Sequence, residues 1–177
     1  AKFARFWTTL RSGSNPRLSS QQPAGMDVDR HLHGDFWKNE ERITYEIREA
    51  IQVGRDLRNE VEKLDRLHGA RAKELIPEAL KLKDVGRGFN ILMHAASVGH
   101  LPSFTSAVAV VNERLGRKGL VKQLRQSDIH GAPLVFQAAA SSELTFFESV
   151  CKTVGKTLGS SELRQQLQAS LLRWRVI

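Results

Sequence analysis

Gly88–His100, GFNILMHAASVGH, is the stretch on which the fold turns, because a related one begins 43 residues later at Gly131. With Gly88 set on Gly131 the register continues without a gap. Ala95 and Ala96 fall on Ala138 and Ala139, Leu101 on Leu144, Phe104 on Phe147 and Val111 on Val154. Leu115 and Gly116 fall on Leu158 and Gly159, Leu120 on Leu163, Leu124 on Leu167 and Ser127 on Ser170. The matched residues are mostly apolar or glycine, and they hold one register over about 40 residues. Such a fixed period is the mark of stacked supersecondary units.

Punctuation inside each unit predicts three helices. In the first they are Ile91–Val98, Pro102–Leu115 and Gly119–Gln126; in the second, Pro133–Ser141, Glu143–Leu158 and Ser161–Leu172. Gly99, Gly116 and Gly159 separate them, Pro102 sits where a first-turn proline is tolerated, and Ser160 supplies an N-cap. The paired alanines have a packing reason: small side chains let the short helices of adjacent units approach closely.

These residues resemble the ankyrin repeat, whose motif runs D-x-x-G-x-T-P-L-H-x-A-A-x-x-G-H-L. The first unit offers Gly88 followed by Asn90-Ile91-Leu92-Met93, then Ala95-Ala96 and Gly99-His100-Leu101. The second offers Asp128, Gly131, Pro133-Leu134-Val135-Phe136 and Ala138-Ala139. The period of 43 residues departs from the ankyrin value of about 33. The hydroxyl and imidazole that brace the family's turn are missing from both tetrapeptides. The resemblance covers about 85 of 177 residues and implies an all-α fold: ankyrin-like or α-solenoid helical repeats over 85–177, with protein binding as their use.

Upstream, Ile43, Ile47, Ala50, Gly54, Leu57, Val61, Leu64 and His68 alternate steps of four and three. That spacing predicts one long amphipathic helix from Glu40 to Leu67, packed against the repeats, with Gly54 admitting another helix and Gly69 as its stop. A second helix follows over Ala70–Asp84, with Pro77 expected to start it near Glu74 or to kink it. Asp84–Gly88 then reads as a turn. Its GRG lacks the flanking strand and GK[ST] of a phosphate loop, which excludes that motif.

Residues 1–39 read as an extended basic N-terminal arm. Phe3, Phe6, Trp7 and Leu10 recur at helical intervals, with Lys2, Arg5 and Arg11 between them and Arg17 beyond. Residues 12–25 are rich in Ser, Pro, Gly and Gln and hold too little apolar surface to fold alone. A disordered tail, an organelle transit segment and a nucleic-acid arm all fit this composition. Such a segment becomes ordered on a partner surface, so docking onto an assembly is expected. His31 and His33, with Asp29 and Asp35, lack further ligands at zinc spacing and read as turn residues, with Phe36 and Trp37 anchoring the turn on the core.

Net charge is +8 and unevenly placed. Residues 1–26 hold four basic residues and no acid, 27–84 hold 12 basic against 14 acidic, and 85–177 hold 11 against 5. This favours partners that are acidic proteins, RNA or anionic lipid, through contacts weakened by salt. The single Cys151 rules out an internal disulfide framework and suits a reducing or matrix-like compartment. No apolar run is long enough for a transmembrane helix. His94, His100 and His130 fall on turn and packing positions, and Cys151 on an apolar face. No nucleophile–base pair, metal set or cofactor motif emerges, so neither catalysis nor a cofactor is expected.

The expectation is a non-catalytic protein–protein interaction module, an accessory subunit of a larger complex, mitochondrial or else cytoplasmic. The alternative is an RNA-contacting protein of a ribonucleoprotein particle. Candidate partner-binding residues are Lys2, Phe3, Arg5, Phe6, Trp7, Arg11 and Arg17 on the arm, and Arg117, Lys118, Lys122 and Arg125 closing the first unit.

Overall fold

The computed structural model describes residues 39–141 and 143–174, and among them only helices and their connecting turns are found, with one isolated bridge between Ser127 and Pro133. The helices are α1 (Asn39–Gln52), α2 (Leu57–His68), α3 (Ala70–Lys81) and α4 (Ile91–Val98). They continue as α5 (Leu101–Arg125), α6 (Leu134–Ala140), α7 (Leu144–Leu158) and α8 (Ser160–Trp174). The arm candidates Lys2, Phe3, Arg5, Phe6, Trp7, Arg11 and Arg17 lie outside the described residues. So do the readings placed on His31, His33, Phe36 and Trp37.

The single long helix expected over Glu40–Leu67 is instead two helices. Gly54 takes a left-handed φ of 73°, and the Arg55 N–H reaches back to the Ala50 carbonyl at 2.7 Å. Asp56 then caps α2, its carboxylate accepting the Arg58 N–H at 2.8 Å. The four–three spacing runs on through this break because both helices bury their apolar side: Ile43, Ile47 and Ala50 on α1, Leu57, Val61 and Leu64 on α2. Gly54 admits no helix; the space beside it faces the His100 ring. Gly69 does stop α2, donating its N–H to Asp65. Helix α3 begins at Ala70, not Glu74, and runs on through Pro77.

Inside α5, Gly116 breaks the helical path with φ 67° and ψ 175°, leaving segments 101–115 and 117–125. Gly159, at φ 96° and ψ 163°, stands between α7 and α8. This backbone region is essentially closed to any residue with a Cβ. Both units therefore hold three helices, as their sequences predict. A similar order, helix–Gly–helix–Gly–helix, also describes α1–α3 with Gly54 and Gly69 at the joints. The register misses this copy because Gly69 and Gly116 lie 47 residues apart, not 43.

Packing follows the units. Helix α4 lies against both α1 and α6, and α5 against both α2 and α7. Ala95 and Ala96 of α4 and Ala138 of α6 are fully buried, and these two helices pack against each other. Phe104 of α5 meets Phe146 of α7 edge to face, ring centres 5.8 Å apart.

The turns before α4 and α6 repeat as well. Asp84 accepts N–H bonds from Arg87 and Phe89, and Asp128 from His130 and Ala132. Each aspartate also faces a residue of the following helix at the same register. His94 Nε2 lies 3.1 Å from Asp84 Oδ2, and Gln137 Nε2 donates to Asp128 Oδ2 at 3.1 Å. His94 thus brings an imidazole beside the Asp84 turn one residue after the Asn90 tetrapeptide. Asn90 itself caps α4, accepting from the Met93 N–H at 2.9 Å.

Candidate functional site

The third helices of the units, α3, segment 117–125 and α8, carry the features that set one side of the molecule apart. The last carbonyls of a helix have no partner within it. Here the next unit supplies one. Gln123 donates its Nε2–H to the Leu80 carbonyl at the end of α3 at 2.7 Å, and Gln166 donates to the Leu124 carbonyl at the end of α5 at 2.8 Å. Both glutamines are buried, and they lie 43 residues apart. Sequence reading passed over this pair because exposed glutamine is commonplace. The available signal was an identical polar residue at the repeat period.

This tie holds the third helices side by side and so fixes their charged faces. Segment 117–125 carries Arg117, Lys118, Lys122 and Arg125 with no acid; α3 carries three basic residues against two acidic, and α8 two against one. By contrast α1, which packs against α3, is net acidic. The basic excess of residues 85–177 is thereby gathered on one layer.

The four candidates on this segment do not act alike. Arg125 Nε approaches Glu162 of α8 at 3.6 Å, and Arg117 reaches the Thr157 carbonyl at 3.5 Å. Both arginines therefore lean on the next unit. Lys118 and Lys122 are exposed, and among the described residues no carboxylate pairs with either.

A cleft of about 270 Å³ opens beside Lys122, between α3 and the bend of α5. Pro77 and Leu115 give it apolar lining, Lys81, Arg114 and Lys122 its charge, and Gln123 part of its wall. Arg114 is held by Asp65 of α2 in a half-buried pair, and Lys81 by Glu78 at 2.6 Å. A shallower hollow on the far side of Lys122 is bordered by Lys118 and Arg125.

Other reactive groups are occupied structurally. The Ser103 hydroxyl donates to the Arg55 carbonyl at 3.2 Å and lies 2.7 Å from His100 Nδ1, so this pair ties two loops. Burial pushes the Cys151 thiol up to about 11, with Glu148 adding to the shift, which keeps it from being a thiolate nucleophile. Burial lowers His94, aided by Arg48 and Arg87, although Asp84 opposes the shift. Burial alone would raise Asp84, yet the Arg87 and Phe89 N–H donors and nearby His94 and Arg48 hold it below its ordinary value. Among the described residues no helix is long and apolar enough to cross a membrane, and no group of His, Cys, Asp and Glu could hold a metal ion. Compared with protein-family models, curated proteins and solved structures, the chain finds no match.

Proposed function

We propose that the three helical units stack as an ankyrin-like α-solenoid, and that the chain serves as a non-catalytic protein-interaction subunit of a larger assembly. The recurrence of the glutamine tie supports the stacked reading, since each unit closes the helix ends of the one before it. The observation that carries the functional reading is the basic third-helix segment 117–125, where Lys118 and Lys122 stand exposed and, among the described residues, pair with no carboxylate. Uncompensated charge beside a lined cleft is what a complementary protein surface recognises. The basic arm adds a second contact and suits import into mitochondria.

The test is affinity purification of the tagged full chain from its own cells, washed at rising salt. Stoichiometric protein subunits that survive the high-salt wash support the reading. The same basic layer favours one second reading, contact with RNA in a ribonucleoprotein particle. That reading predicts nuclease-sensitive recovery and a steep loss of binding with salt.

A further inference from the structure

We infer that the cleft beside Lys122 is the docking groove for a carboxylate-bearing, amphipathic segment of a partner protein. This rests on the interaction-subunit reading and names the place and the chemistry of the contact. The groove pairs an apolar lining, Pro77 and Leu115, with cationic edges, Lys81, Arg114 and Lys122. A segment with acidic residues on one side and an aliphatic residue on the other satisfies both. At about 270 Å³ the groove lies below the usual range for a small-molecule site, about 300–1,000 Å³. It suits one or two partner side chains.

Charge placement argues against a nucleic acid in this groove. Two of its three cations already hold carboxylates, Arg114 that of Asp65 and Lys81 that of Glu78. A phosphate backbone would run its dense negative charge past those acids, whereas a peptide can place one carboxylate at Lys122 in the groove and another at Lys118 in the adjoining hollow. Among the described residues no aromatic side chain lines the groove, so they offer no stacking platform for single-stranded bases there.

The experiment titrates the full chain into a labelled synthetic peptide bearing Glu on one helical face and Leu on the other, read by fluorescence anisotropy. Poly(U) is the competing probe. Two charge reversals are compared: K118E/K122E, at the groove and its adjoining hollow, and K152E/K156E on α7, equal in charge and outside the lining of both. Circular dichroism checks helicity, and K118Q/K122Q replaces the groove variant should the reversal unfold. The groove variant is expected to weaken the peptide by about tenfold or more, and the α7 variant by less than about twofold. Replacing the peptide's Leu by Ser is expected to weaken it as well. Equal losses in both variants, or poly(U) binding tighter than the peptide, overturn the proposal. Partner subunits recovered equally by wild type and K118E/K122E would remove the groove and leave the subunit reading standing. Peptide binding lost only in the groove variant, with no subunit ever recovered, would do the reverse.

Discussion

At the scale of single residues, the most informative comparison is His94 with Gln137, which occupy one register position and face equivalent aspartates. His94 is held below its ordinary value of 6.5 in the folded chain. Below pH 6.5 the unfolded chain takes up a proton that the folded chain refuses until the pH is lower still. Stability from this residue is therefore complete above pH 6.5 and is lost as pH falls toward the lower folded value. His94→Gln, copying the second unit, is expected to keep the brace to Asp84 and to flatten that acid-side loss. Urea melts above and below pH 6.5 measure it. Ala138 sets a different limit. Fully buried on α6, a helix that packs against α4, it sits in a packed core, and Ala138→Leu should cost about 1–3 kcal/mol by overpacking. A thermal melt that does not move would refute that packing.

Among elements, the stability of each third helix depends on the one that follows. Gln123→Ala strands the buried Leu80 carbonyl at the end of α3 and should cost about 1–3 kcal/mol. Gln166→Ala should do the same to the end of α5 through Leu124. Hydrogen exchange distinguishes the two, because Gln123→Ala loosens α3 and Gln166→Ala loosens segment 117–125. The joints are a separate matter. An alanine at Gly116 meets no atom within 4 Å, so Gly116→Ala tests backbone strain alone and should cost about 1–3 kcal/mol. Denaturant unfolding of that variant reads the strain without a steric clash to confuse it.

Across the whole molecule, the strong packing pairs join each unit to its neighbour only, α1 and α2 reaching α4 and α5, and these reaching α6 and α7. For the stacked array proposed above, stability is close to a sum of units and interfaces. Disturbing the α4–α6 contact should then expose α6–α8 to exchange before α1–α3. Because the helices of residues 39–174 bury an apolar core against one another, deleting residues 1–25 should leave those helices folded, with their circular dichroism retained. The same deletion should weaken incorporation into the assembly, which co-purification measures.

The sequence alone determined the helical class, the approximate helix borders of both 43-residue units and the buried alanines, because glycines and apolar spacing are local signals that repeat at 43 residues. It misread Glu40–Leu67 as one helix. A four–three pattern describes which side is buried and is blind to a left-handed turn at Gly54 that keeps both halves facing the same core. Candidates Lys118 and Lys122 could be picked out by composition, yet nothing local distinguished them from Arg117 and Arg125. Only the tertiary structure decided that the arginines lean on the next unit while, among the described residues, the lysines pair with no carboxylate and Lys122 borders a cleft. The glutamine ties were hidden for the same reason: a hydrogen bond to a carbonyl more than 40 residues away exists only once the units are stacked.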